Sequence, residues 1–153
     1  MSVDREPRQL PAPAFEEYTG FLLHRLGIGA QRVIEETLRP LDLRPREFRV
    51  LALLGDTPRS QRELAELSRL DRTTMVAVVD RLEDLELVRR TRNATDRRKY
   101  LVERTAAGAS LVGDAMVKLI KAEREFLSPL PEDRQTELNA LLRELYAVRI
   151  VDC

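Results

Sequence analysis

Residues 60–90 read SQRELAELSRLDRTTMVAVVDRLEDLELVRR. Ser60 is followed three residues later by Glu63, a capping box that marks the start of a helix. Residues 68–70 leave room only for a tight turn, and Asp71 is then placed to cap a second helix. A short helix, a tight turn and a second helix predict a helix-turn-helix, the motif that lays its second helix in the major groove of DNA.

Apolar spacing supports both helices. In the first helix, Leu64 and Leu67 are expected to lie on one face. In the second helix a buried stripe is expected from Met75, Val78, Val79, Leu82 and Leu85. The opposite face would present Arg72, Thr73, Val76, Ala77 and Asp80 to solvent or DNA.

A dense basic segment follows the two helices. Residues 89–104 contain seven basic and two acidic side chains, which gives a local charge of +5 in a chain whose formal net charge is zero. Strands are expected near 87–92 and 98–104, so the segment is interpreted as a hairpin wing with its tip at 93–95. A basic patch on a neutral protein is the electrostatic footprint expected of a local DNA contact.

Helices are also expected on both sides of this segment. One runs from Phe15 to about Leu38 and ends before Pro40, and another opens at Pro45 and closes at a 55–58 turn. Thr105 is the expected N-cap of a long helix to about residue 127. A last helix carries Leu138, Leu141, Leu142, Leu145 and Tyr146.

Composition bounds the class of protein. The 153 residues suit one domain, with 34% charged residues, 5% aromatic residues and no Trp, which favours a helical molecule. There is no apolar run long enough for a membrane span and no secretory leader, and the single cysteine, Cys153, is the last residue. These features predict a cytoplasmic protein without a membrane partner.

Motifs of catalysis are not apparent. The one histidine, the Gly27/Gly29 pair within a helix and the scattered acids provide no metal spacing, phosphate loop or nucleophile set. Neither an enzymatic activity, a cofactor nor a metal is expected.

The helix-turn-helix and its surroundings resemble the MarR family of transcriptional regulators. The similarity lies in LDLRPREFRVLALL (41–54), in 60–90, in the wing ATDRRKYLV (94–102) and in the exit TAAG (105–108). It implies a mainly α (α+β) fold, a winged helix-turn-helix with a helical dimerisation domain formed by the N- and C-terminal helices. A prokaryotic source is also implied.

The expected organisation has three parts. Residues 1–13, rich in proline, form a tail, residues 41–105 form the DNA-binding domain, and 14–40 with 106–150 form the dimerisation region. The terminal helices carry more apolar surface than one small domain can cover, which indicates an interface. A homodimer would place two recognition helices ~34 Å apart on double-stranded DNA, so a pseudo-palindromic operator is expected.

Thirteen residues are candidates for DNA contact. They are Ser60, Gln61, Arg62, Arg72, Thr73, Thr74, Val76, Ala77, Arg81, Arg92, Arg97, Arg98 and Lys99. Thr73 and Thr74 offer hydroxyls and N–H groups, whereas Arg72 and Arg81 suit backbone contacts. The family commonly has polar side chains where this chain has Val76 and Ala77, and contact with thymine methyls would substitute for hydrogen bonds there.

The wing is expected to place an arginine over the minor groove. The resemblance implies that Asp96 orients Arg98 and that either Arg97 or Arg98 enters the groove; the residues do not decide between them. The alternative is a solvated charged hairpin.

The resemblance also implies a small-molecule effector, often a phenolic or other aromatic acid, in a crevice between the two lobes. Candidate lining residues are Tyr18, His24, Arg25 and Phe48, with Arg25 suited to a carboxylate. The alternative is a place in the core for Tyr18 and Phe48, which lie on apolar stripes, and a packed or surface imidazole for His24. A thiol switch is not expected, because Cys153 has no evident partner.

The sequence therefore predicts a homodimeric DNA-binding regulator, most simply a repressor relieved by a ligand, with activation left open. The alternative is a winged-helix protein-interaction adaptor without specific DNA binding. Salt-sensitive retention on heparin or random duplex DNA discriminates between the two.

Overall fold

The computed structural model describes residues 17–93 and 100–149. The elements, in chain order, are α1 (Thr19–Leu38), α2 (Pro45–Leu54), α3 (Gln61–Ser68), α4 (Arg72–Asp84), β1 (Val88–Arg92), β2 (Tyr100–Arg104), α5 (Ala106–Leu127) and α6 (Glu132–Arg149). The two strands form one antiparallel hairpin. This is the expected mainly helical fold with a winged helix-turn-helix at its centre.

The first connection follows the proline signals. α1 ends at Leu38, and the chain continues as a single 3-10 turn, Arg39–Leu41, that contains Pro40. Asp42 then adopts a left-handed conformation with φ 53°. α2 opens with Pro45 at its first position, and the Arg44 N–H donates to the buried Glu47 carboxylate at 2.8 Å.

The helix-turn-helix forms where the capping signals predict it. Ser60 and Glu63 make the reciprocal capping box of α3, and Arg69 at φ 54° turns the chain into α4. The two leucines of α3 differ in burial: Leu64 is buried, whereas Leu67 is 50% exposed. Ser68 takes the second buried position because its hydroxyl donates to the Leu64 carbonyl at 2.6 Å and so needs no solvent.

The core lies within the winged helix-turn-helix and at its junction with α5. Its buried apolar side chains are Leu38, Leu43, Val50, Leu51, Leu54, Leu64, Met75, Val78, Val79, Leu82, Leu87, Val88, Val102 and Ala115. The predicted stripe of α4 is confirmed at four positions, and Leu85, at the helix C-cap, packs half-buried against the same core. Burial of this stripe fixes which face of α4 is left for solvent.

The β1–β2 hairpin forms the wing. Val88 pairs with Arg104 and Arg92 with Tyr100, so the strands begin and end within two residues of their expected bounds. The wing tip, 94–99, lies outside the described residues. Arg59 extends the sheet by one residue, since its N–H and C=O both bond Val102, at 3.0 and 2.7 Å.

The exit from the hairpin joins α5 to the end of α4. Thr105 caps α5: its hydroxyl accepts from the Gly108 N–H at 3.0 Å and donates to the Glu86 carbonyl at 2.8 Å. The Thr105 N–H donates to the Leu87 carbonyl at 3.0 Å. Because Gly108 has no side chain, the first turn of α5 can lie directly on that same carbonyl.

The outer helices leave much apolar surface uncovered. Exposed large apolar residues of α1, α5 and α6 are Phe21, Leu22, Leu23, Leu26, Ile28, Ile34, Met116, Val117, Ile120, Leu141, Leu142, Leu145, Tyr146 and Val148. No side chain described in α6 is buried. So many exposed large apolar side chains on three helices are typical of an interface rather than of a free monomer surface.

We predict that Gly108→Ala destabilises the fold. A Cβ at this position would lie 2.2 Å from the Leu87 carbonyl oxygen, so the backbone junction must shift, at a cost of about 1–3 kcal/mol. Gly113→Ala in the same helix is the matched control, because nothing lies within 4 Å of its Cβ. There the substitution should gain up to about 1 kcal/mol from helix propensity.

The urea midpoints of both variants and of the unsubstituted protein are measured by circular dichroism at one fixed protein concentration. Equal midpoints for Gly108→Ala and the unsubstituted protein would show that the close approach does not constrain the junction.

Candidate nucleic-acid interface

The outer face of α4 is open to solvent, as its spacing predicts. Arg72, Thr73, Val76, Ala77 and Asp80 are all exposed on the side opposite the buried stripe, and Val76 is 42% exposed. A helix with one face fixed in the core and the other bare is suited to enter a groove of DNA.

The start of α4 is held by Asp71. Its carboxylate accepts from the Thr74 N–H at 2.9 Å and from the Thr74 hydroxyl at 2.6 Å. The hydrogen bond from that hydroxyl, and then the one from the N–H, lower the pKa of Asp71 below its ordinary value of 3.8. The Thr74 hydroxyl is thereby engaged within the protein, whereas Thr73 is exposed beside it.

The end of the exposed face is tied to the hairpin. Arg90, on β1, donates to the carboxylates of both Asp80 and Glu83 on α4, and its N–H also donates to Glu83 at 3.1 Å. This network sets the angle between the recognition helix and the wing. The sequence alone does not indicate this network, because the pairing requires the hairpin to fold back along α4; the three-residue spacing of the two acids is the available signal.

Arg81, a predicted phosphate contact, also has a partner inside the protein. Its guanidinium lies 2.6 Å from the Asp42 carboxylate, in the connection between α1 and α2. The ion pair is partly exposed, so it holds Arg81 at the protein surface without burying its charge.

The described part of the basic segment is largely paired. Arg89 makes two 3.1 Å hydrogen bonds to Glu103, and these lower the pKa of that carboxyl; Arg104 lies 2.7 Å from Asp56. Arg92 remains exposed, with its guanidinium 5.8 Å from the centre of the Tyr100 ring. The count of +5 therefore overstates the charge that these strands offer to a phosphate. The tip residues Arg97, Arg98 and Lys99 lie outside the described residues.

The start of α3 lies beside α4. The Ser60 hydroxyl donates to Glu63 at 2.7 Å, and Arg62 lies 3.0 Å from Glu66. A groove of about 720 Å³ separates the two helices, and Gln61 lines it with one amide nitrogen buried and without a partner. The remaining lining residues are Arg62, Ala65, Glu66, Leu70, Arg72, Met75 and Val76.

The four candidate ligand residues are dispersed. Tyr18, expected to be core if it does not bind a ligand, is 59% exposed at the start of α1, where His24 and Arg25 are also exposed. Phe48 is half-buried against the core. None of the four lines the α3–α4 groove or a smaller cavity of about 280 Å³ between α5 and α6. Their role in ligand binding stays a prediction.

The described ranges, 17–93 and 100–149, contain neither a metal-binding cluster nor a helix that could span a membrane. No group of three or more His, Cys, Asp or Glu side chains in these ranges is placed to hold a metal ion. Within the same part of the chain, none of the helices combines the length and apolarity that crossing a membrane requires.

A capped recognition helix, a neighbouring positioning helix and a hairpin wing define a winged helix-turn-helix regulator of transcription. The sequence profile of the MarR family matches residues 41–99. A regulatory protein for the hcr operon of Thauera aromatica is 30% identical over 129 residues, which span 83% of this chain and 78% of that protein. The chain belongs to the MarR family and is a DNA-binding transcriptional regulator.

Solved structures agree with this placement. The apo form of MarR from E. coli has a TM-score of 0.74 at 26% identity, over 84% of this chain and 96% of that one. The repressor CouR bound to a 23-mer DNA duplex has a TM-score of 0.77 at 28% identity, over 90% and 98%. CouR from Rhodococcus jostii RHA1 bound to p-coumaroyl-CoA has a TM-score of 0.71 at 30% identity, over 88% and 95%.

We predict that Asp71 makes the stability of the protein depend on pH in the acid range. Its folded-state pKa is depressed, so its contribution is complete above the unfolded value of 3.8 and is lost as pH falls through the lower folded value. Asp71→Asn, which keeps a cap acceptor but does not titrate, is the control.

Urea midpoints are measured for both proteins from about pH 5 down to about pH 2. The advantage of the unsubstituted protein over the Asp71→Asn variant should shrink below about pH 4. A constant difference across this range would mean that the carboxylate does not hold the start of α4.

Proposed function

We propose that the protein is a homodimer that binds a pseudo-palindromic operator and represses transcription until a small aromatic ligand releases it. The observation that carries the proposal is the bare outer face of α4 on a wing-bearing core, beside outer helices whose apolar faces are uncovered. The first feature suits the major groove and the second suits a second copy of the chain.

The dimerisation region is assigned to 14–40 and 106–150, and the DNA-binding domain to 41–105. α6 supports the first assignment, because none of its described side chains is buried although Leu141, Leu142 and Leu145 are apolar. A second copy would remove this surface from water, and each buried side chain of that size contributes about 1.5–3 kcal/mol.

The DNA contacts are assigned to three groups of the candidate residues. Arg72, Thr73, Val76 and Ala77 would face the major groove from α4. The start of α3, at Ser60, Gln61 and Arg62, would face the DNA backbone. Thr74, in the first turn of α4, and Arg81, near the end of α4, would contact the same backbone. Arg92 and the tip residues Arg97, Arg98 and Lys99 would reach the neighbouring minor groove.

The effector is assigned to the class of phenolic and other aromatic acids or their thioesters. CouR, which this chain resembles over most of its length, was solved with p-coumaroyl-CoA. Exposed Tyr18, His24 and Arg25 on α1, with Phe48 on α2, offer stacking and a guanidinium for such a molecule. Ligand binding to one arrangement of the two lobes would shift the dimer away from the DNA-binding arrangement.

A binding titration tests the proposed function. The duplex flanking the gene of this protein is compared with random duplex at two salt concentrations, by fluorescence anisotropy. We expect tight binding to the flanking duplex that weakens as salt rises, because phosphate contacts release counterions. Adding p-coumaroyl-CoA or p-coumaric acid then screens the effector class.

Equal weak binding to both duplexes would contradict the expectation that the protein regulates genes next to its own. Failure to bind either duplex at low salt, with no retention on heparin, would favour a winged-helix adaptor that binds another protein.

We predict that Leu145→Glu gives a monomer with much weaker operator binding. Leu145 is 46% exposed on α6, and a carboxylate placed in an apolar interface loses its hydration without gaining a partner. Leu67→Glu is the matched control, since Leu67 is 50% exposed on α3, outside the dimerisation region.

Light scattering after gel filtration gives the mass of each variant. The mass should halve for Leu145→Glu and stay unchanged for Leu67→Glu; a dimer in both cases would exclude α6 from the interface.

A further inference from the structure

Most polar side chains of α4 make hydrogen bonds or ion pairs with other residues of the protein. The Thr74 hydroxyl bonds Asp71, the Arg81 guanidinium lies against Asp42, and Asp80 pairs with Arg90. A side chain with its donors or acceptors already engaged must break that contact to read a base edge. Thr74, Arg81 and Asp80 are therefore poor candidates for direct hydrogen-bond readout.

The pairing of Asp80 also changes the electrostatics of the exposed face. An unpaired carboxylate there would repel the phosphates on either side of the groove. Arg90 offsets only part of that charge, because its single guanidinium is shared with Glu83 and the three side chains keep a net charge of −1. Between Arg72 at its start and Asp80 at its end, the exposed face carries no charged side chain, since Thr73, Val76 and Ala77 are uncharged.

The middle of the outer face of α4 is largely apolar. Val76 and Ala77 are exposed side by side there. Val76 also lines the α3–α4 groove, together with Met75 and Leu70. An exposed valine surface is stabilised by contact with another apolar group, which removes both from water. In the major groove that group is the 5-methyl of thymine, which no other natural base of unmodified DNA provides.

We propose that Val76, with Ala77 beside it, reads thymine 5-methyl groups, so that the operator is selected by methyl contacts rather than by hydrogen bonds at these positions. The inference rests on the proposed function, because it assumes that the outer face of α4 lies in the major groove. It names what that face recognises: one or two T·A pairs in each half-site, at fixed positions under the middle of the helix.

Uracil substitution tests the methyl contact directly. Deoxyuridine pairs with adenine as thymidine does and lacks only the methyl group. The operator is first obtained by selecting bound duplexes from a random library, which makes the test independent of the gene neighbourhood. Each thymine of the selected duplex is then replaced singly by deoxyuridine, and the Kd is measured by anisotropy.

We expect one or two uracils in each half-site to weaken binding about fourfold each, as the loss of one buried methyl predicts. Uracil at the remaining positions should leave the Kd within about 1.5-fold, since those methyls would have no apolar partner. The positions should be related by the two-fold symmetry of the operator.

The variant Val76→Ala links the effect to the residue. It should bind the thymine duplex more weakly and lose most of its sensitivity to the same uracils, which is the coupling expected of two groups in contact. Val76 is exposed, so the variant should keep the circular dichroism spectrum and unfolding midpoint of the unsubstituted protein. Leu67→Ala, a truncation of an exposed leucine of α3, should keep full sensitivity to uracil.

Two results would overturn the inference while the proposed function stands: specific binding that no single uracil changes by more than about 1.5-fold, or a Val76→Ala protein as sensitive to uracil as the unsubstituted one. Selection that enriches no sequence at all would instead remove the proposed function, and the inference with it.

Discussion

The structure depends on the burial of one face of α4. Met75, Val78, Val79 and Leu82 are almost completely removed from solvent, and α2, α3 and the hairpin pack around them. Since these four side chains fix the rotation of the helix about its axis, they also fix which residues lie opposite. The face that we propose for DNA contact is thus decided by the core: a change that rotated α4 by one residue would bury Val76 or expose Val79.

Ion pairs then decide what that surface carries. Many of the charged side chains described around α4 and the hairpin have an acidic or basic partner, including Arg81, Arg89, Arg90 and Arg104. The surface pairs contribute little to stability individually, but they orient long side chains and cancel charge beside the groove. In the proposed complex the attraction for phosphates would rest on a few residues, and the apolar middle of α4 would distinguish this face from a purely basic one.

Much of the fold could be predicted from the sequence, because its signals are local. Capping residues such as Ser60, Asp71 and Thr105, and Pro45 at the first position of α2, set the helix starts to within a residue. What could not be predicted depends on contacts between segments distant in the chain. The pairing of Arg104 with Asp56 joins residues 48 positions apart, and no periodicity indicates it. The exposure of Leu67 has a local cause instead: Ser68 satisfies its hydroxyl on the Leu64 carbonyl and takes the buried position.

The hydrogen bonds of Thr105 couple the end of α4 to the start of α5. The hydroxyl and N–H of Thr105 bond the carbonyls of Glu86 and Leu87, just beyond the C-terminus of α4, and Gly108 allows α5 to lie on the same backbone. The start of α5 and the end of α4 are therefore one rigid corner, not two elements joined by a flexible loop. If α5 belongs to the dimerisation region, the spacing of two recognition helices follows from how the outer helices of two copies pack. In the proposed dimer, a ligand that alters this packing would change the fit to two successive major grooves without touching α4 itself.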